Sequence, residues 1–313
     1  MKLLVYTDGG PNSDKALIFA ARWSRQIQAE LAVITVRSGT HAMETPPPMG
    51  REVLVSDWDG LPEGLRILTQ AARRLGEEGL LKLPDGITLR ETPHSHLFAC
   101  STQDERKILF HECFGSFIET LNREVDRHRY DLLIIAPPTR SRMRRFLLGD
   151  TTRKLALELH TSVLFVRSGS ADSRLVICAD GSASGKRSFP LLQHLLPTIR
   201  QPVEILWVRS PQASDEDAAK AEHCLSQATQ WLRSCGKEIR KVRLEDTHPA
   251  EAITTAAGKD ALVVIGASLR HDVVRRTMGT LPMRLLARTE ASVLLAKAPP
   301  EADPGTYREK FTC

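Results

Sequence analysis

Two stretches of the chain carry residue types suited to holding a phosphate. Gly266-Ala267-Ser268-Leu269 is separated by nine residues, Arg270 to Met278, from Gly279-Thr280. A glycine directly after an apolar run lets backbone approach a ligand closely, because no Cβ stands in the way. A second glycine followed by a hydroxyl residue at a helix start offers free N–H groups, a helix dipole and an O–H donor to a phosphate. The same spacing occurs earlier as Ala136-Pro137-Pro138-Thr139, nine residues from Arg140 to Leu148, then Gly149-Asp150. There the chemistry is poorer: Ala136 replaces the first glycine, prolines stiffen the loop, and Asp150 sets a carboxylate where Thr280 sets a hydroxyl. A lost hydrogen bond to a charged group costs roughly 1.5–3 kcal/mol. Like-charge repulsion at about 4 Å adds on the order of 1–4 kcal/mol.

Other chemistry-bearing groups are less persuasive. Gly181-Ser182-Ala183-Ser184-Gly185-Lys186-Arg187-Ser188 approximates a P-loop, but its glycines are one residue too close and Arg187 stands where a magnesium-binding Ser or Thr belongs. A helix start is the better reading. His94, His96, Cys100, His111 and Cys113 crowd one segment and offer zinc donors. Their spacings match no compact zinc pattern, so they read as ordinary loop residues and no metal is expected. Arg140, Arg142, Arg144 and Arg145 read as a solvated face, with a phosphate or acidic partner as the alternative. No nucleophile elbow supports Ser-His-Asp catalysis.

The elements that must position these groups are written twice. Leu3 to Gly10 is echoed by Leu175 to Ser182 at an offset of 172 residues. Asp131 to Ala136 and Ser162 to Val166 are echoed by Asp260 to Ile265 and Ser292 to Ala296 at an offset of 130 residues. Such repetition predicts two copies of one unit, the first about 42 residues longer. In copy one, apolar runs predict strands over 2–7, 31–36, 87–91, 132–135 and 162–166, with helices after Asn12 or Ser13 as cap and over 61–79, 114–128 and 151–160. In copy two they predict strands over 174–179, 203–208, 238–244, 261–265 and 292–296. Helices there are expected over 186–196, 214–235, 249–257 and 280–289, with Ser214 and Asp217 as a capping box.

Alternating strands and helices imply α/β architecture: two tandem, open, five-stranded, mostly parallel sheets with helices on both faces. The expected units are residues 1–169, 172–298 and a loose tail over 299–313. Strand five of such a sheet is a bare edge, so 162–166 is expected to pair antiparallel with 292–296 and pack the copies as an intramolecular pseudo-dimer. The extra residues of copy one fall between strand two and its helix and between strand three and its helix. Both insertions follow strand C-termini, the edge where open α/β sheets bind ligands. They are expected to form a lid there, anchored by Trp58, Phe98 and Phe110.

Composition excludes several classes. Hydrophobic content of 42% and charged content of 26% over 313 residues describe a globular protein. A net charge of +5 without a localised basic, aromatic face argues against nucleic-acid binding. No apolar stretch is long enough for a membrane span. Met1 runs straight into the first strand, leaving no room for a signal peptide. Six scattered cysteines without a CxxC pair fit reduced thiols and a cytoplasmic location.

The ordered set of motifs resembles the universal stress protein family: Asp8-Gly9 and Asp180-Gly181 ending the first strands, Pro249 to Ile253 entering the third helix, and the loop after strand four. Nucleotide-binding members carry Gly-x-x-Gly, nine residues, then Gly-Ser/Thr. Here Leu269 replaces the second glycine in copy two, and Ala136 and Thr139 replace both in copy one. The resemblance implies that Asp180 and Gly181 hold the nucleoside end, Val208 frames adenine, and Gly266, Leu269, Arg270, Gly279 and Thr280 line the phosphate loop. A weaker N-terminal site would comprise Asp8, Val36, Ala136, Arg140 and Gly149. The implied role is regulatory binding of ATP, with or without magnesium, chiefly by the C-terminal domain in a stress response and without dedicated catalysis. A homodimer and a protein partner on the insertions are compatible with it. The alternatives are a scaffold that binds no nucleotide and a slow ATPase.

Overall fold

The computed structural model describes residues 1–38, 50–92, 95–137, 150–167, 173–179, 189–212, 214–266 and 280–297. Copy one opens with strand β1 (Lys2–Tyr6), helix α1 (Pro11–Gln26) and strand β2 (Glu30–Arg37). Helix α1 starts on Pro11, whose missing N–H and fixed φ suit a first helical position. The expected side-chain cap from Asn12 or Ser13 is replaced by Gly10; the Ser13 hydroxyl instead donates to the Gly10 carbonyl at 2.8 Å. There follow β3 (Arg51–Leu54), a 3₁₀ turn over Val55–Gly60, α2 (Glu63–Glu77), β4 (Gly86–Thr92), β5 (Ser95–Ser101) and β6 (Lys107–Phe114). Helix α3 (Phe117–His128), β7 (Leu132–Ile135), α4 (Asp150–Glu158) and β8 (Ser162–Phe165) complete the half.

Copy two runs β9 (Arg174–Cys178), α5 (Phe189–Leu195), β10 (Val203–Arg209), α6 (Asp215–Ser234), β11 (Ile239–Glu245), α7 (Pro249–Ala257), β12 (Ala261–Gly266), α8 (Thr280–Arg288) and β13 (Ser292–Ala296). Ser214 caps α6 as expected, accepting from the Asp217 N–H at 3.1 Å and donating to its carboxylate at 2.7 Å.

All these strands join one sheet in the order β11-β10-β9-β12-β13-β8-β7-β1-β2-β6-β5-β4-β3. Within it, β9 to β13 pair only in parallel, as do β1, β2, β6, β7 and β8 among themselves. Each copy therefore has its first strand between its second and its fourth. One apolar layer runs from Leu17, Trp23 and Leu68 to Leu192 and Leu232, beneath α1, α2, α5 and α6. The other runs from Leu121 and Leu155 to Ile253 and Leu285, beneath α3, α4, α7 and α8. Helices on both faces explain why the central strands are apolar at every position.

Copy one departs from five strands. Its third parallel strand is β6, which pairs with β2 from Leu31↔Ile108 to Arg37↔Phe114. The 87–91 segment expected in that role belongs to β4, part of an antiparallel extension in which β5 pairs with β6, β4 with β5 and β3 with β4. The larger insertion thus precedes the third parallel strand. The described parts of the insertions do meet, but they lengthen the sheet sideways, and the expected lid over the ligand edge is absent among the described residues. Trp58, Phe98 and Phe110 are buried as core of this extension, with the two phenylalanine rings stacked 4.8 Å apart. The misreading has a physical cause: outer strands have one wet face, and β4 alternates buried and exposed residues. Neither β4 nor β6 therefore shows the continuous apolar run of a central strand.

The halves meet where β8 and β13 pair antiparallel, through Phe165↔Val293, Leu164↔Leu294 and Val163↔Leu295. Reciprocal polar contacts flank this pair. The Arg167 N–H donates to the Ser292 hydroxyl at 3.1 Å, and the Lys297 N–H to the Ser162 hydroxyl at 3.0 Å. The Arg167 guanidinium donates to the carbonyls of Leu286 and Thr289 at 2.6 and 2.5 Å. The Lys297 ammonium donates to that of Leu159 at 2.7 Å. Trp23 reaches across as well, donating to the Thr198 hydroxyl at 3.4 Å. The expected break over 168–172 and tail over 298–313 lie outside the described residues.

Candidate functional site

In each copy the direction of winding reverses between the first and fourth strands, which opens a crevice at their C-terminal ends. In copy two the reversal lies between β9 and β12. Val208 is half-buried near the end of β10, and Gly266 closes β12, paired with Ala296. Strand β9 runs between them and ends at Cys178. Neighbouring strands lie about 4.8 Å apart, so two strand ends either side of β9 stand roughly 10 Å apart. Helix α8 starts at Thr280. Asp180, Gly181, Leu269, Arg270 and Gly279 lie outside the described residues.

The same crevice in copy one is flanked by Val36, Asp8 and Ala136. The correspondence is close in backbone terms: the Thr7 N–H donates to the Ile34 carbonyl at 2.9 Å and the Ala179 N–H to that of Leu206 at 3.0 Å. Asp8 is exposed, and its carboxylate accepts from the Gly10 N–H at 2.9 Å, closing a turn over Gly9. Gly9 takes φ +76°, so the turn favours glycine, and a Cβ there would also crowd the Ile67 side chain of α2 at 3.2 Å. Tyr6 lies edge-on to Phe117, and burial, with the Asp8 charge in second place, pushes its phenol up to about 12. Its hydroxyl stays protonated at neutral pH and serves only as a neutral donor or acceptor. Arg140 and Gly149 lie outside the described residues; α4 starts at Asp150, as α8 does at Thr280.

The four candidate metal donors within the described residues, His96, Cys100, His111 and Cys113, do not form one site. They are strand residues, and the sheet separates them. Cys100 and Phe110 belong to the apolar layer beneath α2, while Cys113 belongs to the layer beneath α3. His96 and Glu112 form a buried pair on the α2 face, with Nδ1 2.6 Å from Oε2. His111 and Cys113, two residues apart on β6, share the α3 face, where Glu124 meets them and His128 in turn lies 3.5 Å from Glu124. His94 lies outside the described residues. The alternation of β6 and the four-residue step Glu124 to His128 on a helix would have shown this grouping, had β6 been placed correctly.

The model of the Universal stress protein family matches residues 1–167. A universal stress protein from Archaeoglobus fulgidus is 15% identical, with 95% of this chain and 98% of that one covered at a TM-score of 0.61. A functionally unknown protein from Pseudomonas aeruginosa, PA1789, is 13% identical, with 99% and 96% covered at the same TM-score of 0.61. A universal stress protein solved in complex with cAMP is 19% identical over 53% of this chain and 96% of that one, at a TM-score of 0.35. No curated protein sequence matches. Among the described residues, no helix is long and apolar enough to cross a membrane.

Proposed function

Since the chain belongs to the universal stress protein family, we propose that it is a regulatory protein binding an adenine nucleotide, ATP, chiefly through its C-terminal half. The observation that carries this reading is the crevice of copy two. Val208 and Gly266 flank the end of β9 there, and α8 begins at Thr280 after a loop of phosphate-binding composition. Residues Asp180 and Gly181 would meet the nucleoside, Val208 the base, and Gly266, Leu269, Arg270, Gly279 and Thr280 the phosphates. Copy one offers the same crevice with Ala136 for Gly266 and Asp150 for Thr280, so it would hold a triphosphate far more weakly.

Binding without turnover is the proposed mode, in one chain whose halves join at β8 and β13 as a pseudo-dimer. Domain bounds of 1–169 and 172–298 and a cytoplasmic setting complete the proposal. The test is mass spectrometry of the purified, denatured protein, followed by calorimetric titration of the full chain with ATP. Bound ATP and a single stoichiometric site are expected. Bound ADP that accumulates with time would make the protein an ATPase, and absence of any nucleotide binding would make it a scaffold.

A further inference from the structure

We propose a second, metal-binding site beneath α3, built from His111, Cys113 and Glu124 with His128 at its mouth, and suited to zinc or another borderline divalent cation. The donors come from two rigid elements. His111 and Cys113 alternate onto one face of β6, and Glu124 and His128 are one turn apart on the facing side of α3. One donor atom from each of His111, Cys113 and Glu124 lies within 4.8 Å of the other two. Glu124 Oε2 stands 3.2 Å from His111 Nδ1 and 3.5 Å from His128 Nε2.

The carboxylate is the second observation. The Glu124 side chain is 5% exposed, yet its Oε2 is fully enclosed without a hydrogen bond of ordinary geometry. An anionic oxygen buried in this way costs free energy unless something positive meets it. Carboxylate oxygen, imidazole nitrogen and the thiolate a cysteine gives on binding are donor types that zinc selects.

Geometry permits closure. Donors at about 2.0–2.3 Å from one tetrahedral ion lie roughly 3.3–3.8 Å from each other, so the present cluster must contract by about 1 Å. Binding would release the Cys113 proton to solvent and leave a thiolate on the metal. His111 and His128 are the partly exposed members, at 16% and 44%, and give the ion its entry path. The ion would then fasten α3 to β6, the strand on which the antiparallel extension is built.

The experiment is titration of the reduced full-length protein with Co²⁺ alone, followed by Zn²⁺. One equivalent of Co²⁺ should produce a near-ultraviolet thiolate-to-cobalt band, which Zn²⁺ should then abolish. Cys113→Ser should remove that band, and Glu124→Gln should weaken cobalt binding by about 100-fold or more. His128→Ala is the variant that leaves the core intact, and it should weaken binding by about tenfold. Cys235→Ser, at an exposed and distant thiol, should keep the band. Absence of a thiolate band, or a band that survives Cys113→Ser, would overturn the proposal. So would unchanged affinity in His128→Ala together with a normally folded, equally tight Glu124→Gln. The site shares no residue with the nucleotide crevices, so either proposal can fail without the other.

Discussion

Gly64 and Glu112 are in contact so close that no side chain fits between them: a Cβ on Gly64 would lie 1.7 Å from Glu112 Oε1 and 2.4 Å from its Cδ. Glu112 cannot step aside, because His96 holds its other oxygen at 2.6 Å and both side chains are buried. The glycine near the start of α2 thus sets how closely that helix lies on β6. It serves close approach alone, since its φ is outside the left-handed region.

Gly64→Ala is expected to cost about 3 kcal/mol or more, by displacing the helix or breaking the buried pair. Chemical denaturation measures this. Adding Glu112→Ala should recover part of the loss, so the double variant should be less destabilised than the sum of the two singles. Strict additivity would show that the residues do not interact.

Stability should rise with pH on account of Lys297. Burial lowers its pKa from 10.5 to about 7, so the unfolded chain binds more protons than the folded one between those values. The sign follows: the penalty is present in full below about pH 7 and is relieved as pH rises toward the unfolded pKa. Lys297→Met should be more stable than the parent at pH 6, by on the order of a few kcal/mol, and the gap should narrow by pH 9. Thermal unfolding at both pH values checks this. A pH-independent difference would mean that the ammonium keeps its ordinary pKa.

Arg167 caps the last turn of α8 from the other half, through the Leu286 and Thr289 carbonyls. Charged donors to helix C-terminal carbonyls satisfy orphan acceptors and oppose the dipole. Arg167→Gln should lower stability by about 1.5–3 kcal/mol. Hydrogen exchange should show the added opening in α8 and β13, with α1 and α2 unaffected.

Gly279→Asp should abolish ATP binding by the intact chain, because a carboxylate at a helix start repels phosphate. Gly149→Asp, at the matching position of copy one, should leave the calorimetric isotherm unchanged. Equal losses would mean that both crevices contribute.

The sequence exposed what repeats and what is apolar. The offsets of Leu3 against Leu175 and Ser162 against Ser292 disclosed two like units, and the bare edge of the fifth strand disclosed their antiparallel pairing. The apolar runs at 132–135 and 261–265 marked the strands that carry Ala136 and Gly266. What stayed hidden were outer strands with one wet face. β4 and β6 alternate alike, and only pairing with β2 distinguishes the parallel strand from its antiparallel neighbours. That one ambiguity turned a sheet extension into a lid. It also scattered His111 and Cys113 into a loop, where their shared face with Glu124 could not be seen.

The β8–β13 pair joins segments made some 130 residues apart, and this bears on how the chain is born. At a synthesis rate of about 5–20 residues per second, β8 waits on the order of ten seconds for its outer partner to leave the ribosome. Through that interval an apolar strand edge stands open to any other strand nearby. The opposite end of the same half has no such wait, since β3 to β6 lie close together in sequence and can zip as soon as they emerge. The speed of translation between Phe165 and Val293 therefore sets how long that edge stays open, whatever the final stability.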